Sequence, residues 1–431
     1  MIGINHYLSS ERLLDHRIEL HGARGVADRA IGQCNGVEHV DVDAARSVPE
    51  QVIGLAGLLE QAWTRYGLPI AVTECHNGAT RDDQARWFID AWDTAERLRT
   101  RGVDLRALTA WSLLGSYDWN RMVTTTAGHY EPGVFDMRSG QPRPTLMARV
   151  LKDLADGRRP HGPGLDVPGW WSEARRAGAS EEPISFAVTS GPQTEARPAP
   201  LAIIAGDDGL TEAIASTCNA RGLRHVVIDG GAHGQLAALA PWAVLDARVL
   251  AEGDARPDWI AFCQERGIPG ALLHSSARSE TLDPAENLLV AVTDPVFFPG
   301  EDGFASEVLD ALDGGKDVVA DARHEWQATY APCLIDGVLD LLLDDMRGVA
   351  HFVAEPGWTE ADIARALAHV AGHEPARVLD WAGHGAASPP EARSSTYLPC
   401  LETMLERFVH DRRWHRQAEA AMGGVLLAAA E

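Results

Sequence analysis

Three short apolar segments of this chain run into residues able to do acid–base chemistry or to hold a polar ring. Leu68 to Gly78, LPIAVTECHNG, ends in Glu74; Met1 to Ser9, MIGINHYLS, carries Asn5 and Tyr7; Leu105 to Asn120, LRALTAWSLLGSYDWN, carries Trp111, Asp118 and Trp119. A carboxylate at a strand end serves as nucleophile or general base, and a phenol beside it as a hydrogen-bond donor. Indole faces stack on the C–H faces of a sugar ring, while amide and carboxylate tips bind its hydroxyls. Taken singly, each Trp reads first as core, and Glu74 first as a helix cap or a solvated loop charge. The six together at three strand ends point to a sugar site.

The elements that must position them alternate strand and helix. Ile70 to Val72 reads as a buried strand, and in parallel α/β folds ligands bind at the strands' C-terminal ends. Glu50 to Tyr66 has a helical stripe at Val52, Ile53, Leu55, Leu58, Leu59 and Trp63, and Asp82 to Arg101 has another at Trp87, Phe88, Ala91, Trp92, Ala95 and Leu98. Asp82 and Asp83 complement the second helix's N-terminus, and Gly102 ends it. His21 to Pro49 lacks periodicity and reads as a long loop over the site. Pro144 to Asp156 reads as a closing helix.

These segments resemble the last part of a glycoside hydrolase family 1 barrel, worded G-I-N-Y-Y, T-E-N-G and W-S-L-L-D-N-F-E-W. The resemblance implies an α/β fold, a partial (β/α)8 barrel of the last three βα units. It further implies Glu74 as nucleophile, Tyr7 as the phenol bonded to it, and Asn5 as the neighbouring amide. Trp111, Asp118 and Trp119 match the sugar-binding aromatic, the hydroxyl-clamping carboxylate and the Trp beside it. Three departures stand out: Cys75 and His76 intervene before Asn77-Gly78, Asp118 is one methylene shorter than the family's Glu, and His6 replaces the first Tyr.

Retaining hydrolysis needs two carboxyls only ~5 Å apart. The family's acid/base sits in an N-E-P loop on an earlier strand, and no N-E-P occurs in this chain. Glu131, in HYEPGVF, is the nearest imitation, but it matches a loop after the last strand. The 431-residue chain alone is therefore expected to lack glycosidase activity. Three strands cannot close a barrel, so the reading calls for a missing N-terminal barrel half or partner chain. Met1 stands where the family has an ordinary apolar residue, which leaves an internal start open.

The expected organisation is a partial barrel over 1–156, a Pro/Gly-rich linker over 157–200, a second α/β domain over 201–415 and a tail over 416–431. In the linker, Trp170-Trp171 is expected to dock on a neighbouring module. The second domain opens LAIIAGDDGLTEAIASTCNARGLRHVVID, the strand, turn, helix and strand of a dinucleotide-binding unit. With PWAV, Ser275-Ser276, TYAPCLIDGVLDLLL and GVAHF, it resembles the dTDP-4-dehydrorhamnose reductase branch of the extended short-chain dehydrogenases. The resemblance implies a Rossmann-like doubly wound sheet and a cofactor loop at Gly206 and Gly209. Those glycines are displaced by one from the family's pattern, and Asp207 and Asp208 would face a diphosphate with like charge. The Ser275–Ser276 pair remains, but the family's Y-x-x-x-K is deleted and Tyr330 matches a different strand. The expectation is no NAD(P) cofactor and no hydride transfer.

Lys and Arg number 38 against 62 Asp and Glu, a net charge of −24 that repels phosphate backbones and anionic lipid. No nucleic-acid or membrane partner is expected. The six cysteines are scattered without a CxxC pair, which fits reduced thiols, no metal site and a cytoplasmic setting. The start lacks a signal peptide's basic and apolar regions. Three readings follow: a glycosidase-derived enzyme acting on a sugar or glycoside, a protein that binds a sugar or nucleotide-sugar without turnover, and a working NAD(P)-dependent reductase.

Overall fold

A computed structural model describes residues 1–18, 31–119, 124, 128–172, 198–230, 233–250, 257–276, 288–298, 303–354, 357–381 and 397–428, without the side chains of 417–428. Packing divides the chain into two units, Met1–Ser116 with Glu131–Ala196, and Tyr117–Tyr130 with Arg197–Glu431.

In the first unit, β1 (Ile2–Tyr7), β5 (Ile70–His76) and β6 (Leu105–Ala110) form a parallel sheet in the order β1-β5-β6. The β-branched Ile70 and Val72 are wholly buried, as expected where crossover helices cover a parallel sheet. Those helices are α1 (Gly54–Tyr66) and α2 (Arg81–Thr100). Along α2 the buried Ala85, Phe88, Ile89, Ala95 and Leu98 recur at helical spacing. Each large one contributes about 1.5–3 kcal/mol by leaving water. Gly67 ends α1 in the left-handed conformation, at φ 59°, which a side chain would resist. Helix α3 (Leu146–Ala155) follows. Among the described residues nothing closes this sheet into a barrel: it is an open three-stranded sheet.

Three sequence expectations differ from the structure. Within the expected loop 21–49, β3 (Ile31–Cys34) and β4 (Val37–Asp43) form a hairpin that pairs antiparallel with β2 (Arg12–Asp15). The cause is Asn35-Gly36, with φ of 51° and 80°, the pair of positive dihedrals that matches a two-residue turn to strand twist. Val40 and Val42 on β4 are fully buried. Residues 19–30 of that stretch lie outside the described residues. Helix α1 starts four residues later than the stripe suggests, because Pro49–Gln51 forms a separate 3-10 turn.

The described part of the expected linker packs on α2. The Arg86 Nε donates to the Gly164 carbonyl at 2.6 Å, and the Trp171 indole N–H donates to Asp90 at 3.0 Å. Trp170-Trp171 therefore docks within its own unit; residues 173–197 lie outside the described residues.

In the second unit, β7 (Leu201–Ile204), β8 (His225–Ile228), β9 (Ala243–Leu250), β10 (Gly270–Ser275), β11 (Leu288–Thr293) and β12 (Gly348–Phe352) pair in parallel, in the order β8-β7-β9-β10-β11-β12. The chain reverses its direction of winding between β7 and β9, which defines a doubly wound sheet. The central strands β7, β10 and β11 are buried almost throughout, as both faces are covered, while the edge strands β8 and β12 expose Val227 and Val349. Helix α4 (Asp208–Arg221) follows β7. The final helix, α5 (Leu401–Ala428), continues through much of the expected tail at 416–431. Among the described residues no helix is long and apolar enough to cross a membrane.

Candidate functional site

The register of β1 on β5 assembles the first site. Asn5 lies opposite Glu74 and Tyr7 opposite His76, after a register shift between Ile4 and Asn5. The Tyr7 hydroxyl donates a short hydrogen bond to Glu74 Oε2. The Tyr7 phenol is pushed well above its ordinary value by burial, by its hydrogen bond to Glu74, and by the charges of Glu74 and Glu131. Beside this pair the Thr73 hydroxyl donates to Asn5 Oδ1 at 2.7 Å, on the exposed side of the sheet. Thr73 joins this neighbourhood although alternation along a strand would assign it and Glu74 to opposite faces. The neighbouring register shift between Val72 and Cys75 breaks that alternation.

Trp111 follows β6, and its backbone N–H donates to the Cys75 carbonyl at 3.0 Å. Its half-buried ring lines a small cavity with Cys75, His76, Asn77 and Gln84. Asn5, Tyr7, Glu74 and Trp111 thus share one unit. Asp118 and Trp119 fall in the other. Asp118 is buried and closes its own loop, accepting the His129 N–H on its side chain at 3.0 Å and donating its backbone N–H to the His129 carbonyl at 2.7 Å. Trp119 is 42% exposed.

Two further residues join Glu74. Buried His76 holds its Nε2 3.6 Å from Glu131 Oε2, and its ring meets the Tyr7 ring edge-on at 6.3 Å. The weak sequence imitation, Glu131, is thereby a second carboxyl of the same neighbourhood, engaged with His76. Cys75 is buried and its thiol is pushed up to about 12 by desolvation. His6 stacks on Trp87 with centroids 5.3 Å apart, and burial lowers it to about 4. A carboxylate fixed by a phenol, beside an exposed amide–hydroxyl pair, can attack or polarise a carbon and bind hydroxyl groups.

The residues at the β7 end do not fit a nicotinamide dinucleotide. Gly206 N–H donates to the Thr211 hydroxyl at 3.1 Å, and Asp207 caps α4 by accepting the Leu210 N–H at 3.2 Å. Two backbone donors of this turn, those of Gly206 and Leu210, are taken internally, and Asp207 and Asp208 add negative charge at the helix N-terminus. A Cβ on Gly206 would lie 2.6 Å from the Ala247 carbonyl, so its backbone meets β9 with no room between. Gly209 sits in the first turn of α4.

Ser276 is hydrogen-bonded to Asp294, whose other oxygen accepts the Ala354 N–H at 2.8 Å. The Ser275 carbonyl is 3.0 Å from His274 Nδ1. Tyr330 is fully buried and donates to Asp411 at 2.8 Å; burial and that carboxylate's charge raise its phenol far above the ordinary value. Among the described residues no group of three His, Cys, Asp or Glu side chains could hold a metal ion.

No family model and no characterised sequence matches this chain. Solved structures do. A dTDP-4-dehydrorhamnose reductase from Yersinia enterocolitica is 14% identical, covers 49% of this chain and 99% of its own, and superposes with a TM-score of 0.35. The corresponding enzyme from Bacillus anthracis, in complex with NADP, is 13% identical over 51% of this chain and 100% of its own, with a TM-score of 0.39. A UDP-N-acetylglucosamine 4-epimerase from Bacillus cereus is 12% identical over 50% and 99%, with a TM-score of 0.37. None of these three is a glycoside hydrolase, and the doubly wound fold of the second unit rests on its own strand order.

Proposed function

We propose that the strand ends of β1, β5 and β6 form a carbohydrate site, with the Glu74 carboxylate as the group facing the anomeric carbon. The observation that carries this reading is the hydrogen bond from Tyr7 to Glu74. A phenol donor holds the carboxylate in one orientation and hydrogen-bonds its charged form, the form that attacks a sugar carbon. The exposed Asn5–Thr73 pair supplies polar groups on the open side of the sheet, suited to ring hydroxyls. With no N-E-P carboxyl in the chain, the site is proposed to bind glycosides and to leave unactivated ones unhydrolysed. The second unit is proposed to play no redox part, because Asp207 and Asp208 put negative charge at the α4 N-terminus and the Gly206 and Leu210 N–H groups are taken by side chains of the same turn.

The test uses a 2,4-dinitrophenyl 2-deoxy-2-fluoro-glycoside, whose leaving group needs no acid. Attack by a Glu74 oxygen on the anomeric carbon expels dinitrophenolate and leaves a glycosyl ester. Peptide mass spectrometry is expected to find that ester on Glu74 and to find none in Glu74→Gln. Absence of the ester, together with no sugar binding by calorimetry, overturns the reading.

A further inference from the structure

Beside the end of β5 lies a cavity of about 10 Å³ whose lining includes Cys75, His76, Asn77, Gln84, Trp111 and Met147 together with the segment 132–134. That volume, open to the centre of a water-sized sphere, admits about one oxygen atom. Three side chains on its wall are buried and make no hydrogen bond at one atom each: Asn77 Nδ2, Gln84 Oε1 and His76 Nε2, the last 3.6 Å from Glu131 Oε2. Gln84 is otherwise anchored, its Nε2 donating to the Pro132 carbonyl at 3.1 Å. Its free oxygen is therefore held in place.

The chemistry of these atoms restricts what can fill the space. An amide N–H needs an acceptor, an amide oxygen needs a donor, and an imidazole nitrogen takes either role according to its proton. Buried polar groups in folded proteins are almost always satisfied, so one occupant must donate and accept at once. A halide accepts only, a metal cation repels the Asn77 N–H, and a phosphate is too large. We infer that this cavity is a site for a single hydroxyl-type oxygen, held between Asn77 and Gln84 beside His76. The oxygen belongs either to an ordered water or to a hydroxyl of the bound sugar. The second source rests on the carbohydrate reading above; the first does not.

Crystals of the full chain, grown sugar-free and soaked with methyl α- and β-D-glucopyranoside, separate the sources. A single oxygen peak within hydrogen-bond distance of Asn77 Nδ2 and Gln84 Oε1, unchanged by the soak, identifies water. Replacement of that peak by a sugar hydroxyl identifies a subsite. In solution, Gln84→Met and Asn77→Leu then weaken glucoside binding by about tenfold if the oxygen is the sugar's and leave it unchanged if it is water's. An empty or collapsed cavity, or an anomalous peak from an ion, overturns the inference. If no glucoside binds anywhere while the water peak is present, the inference stands and the carbohydrate reading loses support.

Discussion

The Tyr7 hydroxyl donates a hydrogen bond to the carboxylate of Glu74, although the two residues are 67 positions apart in the chain. The pairing exists because β1 and β5 lie parallel with Tyr7 opposite His76. Losing the Tyr7 proton would place two negative charges in contact, so the phenol should stay protonated beyond the ordinary tyrosine range near 10. An absorbance titration of the native protein should show Tyr7 ionising late, and Glu74→Gln should bring one tyrosine back toward that range. An unchanged titration in Glu74→Gln would show that the carboxylate does not govern Tyr7.

His6 predicts a stability change with pH. It is neutral in the fold because burial lowers it to about 4 from 6.5. Between those values the unfolded chain binds a proton that native His6 does not, so stability falls as pH drops from 6.5 to about 4 and then levels. The span corresponds to about 3 kcal/mol. His6→Phe keeps the stack on Trp87 and removes the titration. Urea unfolding at pH 7, 5.5 and 4 should show a smaller loss in the variant, and equal losses would rule out His6 as the cause.

Thiol reactivity should separate Cys34 from the rest. Cys34 is exposed, whereas Cys75, Cys218, Cys263, Cys333 and Cys400 are buried. Burial pushes Cys75, Cys263 and Cys333 up to about 12, which removes the reactive thiolate at neutral pH. A disulfide reagent at pH 8 is expected to label one thiol in the native protein and all six in denaturant. A second fast-reacting thiol would contradict the burial.

Asp136 is expected to be a large stability determinant of the first unit. Burial alone would raise its carboxyl, but the hydrogen bonds and charges of Arg138 and Arg81 outweigh that and hold it well below the usual carboxylate value. Arg81, fully buried, is 3.1 Å from it. Asp136→Ala removes the buried carboxylate that Arg81, Arg138 and Arg143 share and should cost about 3–5 kcal/mol, read from chemical unfolding. A loss under about 1 kcal/mol would mean that the arginines find other partners.

Gly206 tests the closed β7 end. A Cβ there would strike the Ala247–Arg248 backbone at 2.6–2.7 Å, so Gly206→Ala should destabilise the second unit by about 1–3 kcal/mol. The wild-type protein is expected to give no NADPH fluorescence enhancement. Tight NADPH binding would show that the space between β7 and β9 opens.

Much of the scaffold was legible in the sequence. Ile70–Val72, the α2 stripe and the run from Leu201 to Ile228 each carry their burial in local pattern, because hydrophobic periodicity reports one element's own face. The hairpin at 31–43 was legible too, in Asn35-Gly36, yet low overall periodicity hid it. The assembly of the site was not. Thr73 meets Asn5 through strand register and a bulge, and His76 meets Glu131 from a segment beyond β6, neither of which a local pattern encodes. Asp118 and Trp119 sit shortly past the end of β6, close enough in sequence to suggest one site, while packing assigns them to the other unit. The sequence by itself determined which residues are apolar, where most of the first sheet's strands and helices arise, and that Glu74 lies close to a strand's C-terminal end. Only the tertiary structure decided which side chains surround that carboxylate, because contacts between distant residues depend on register, and one residue of slip turns a side chain to the opposite face.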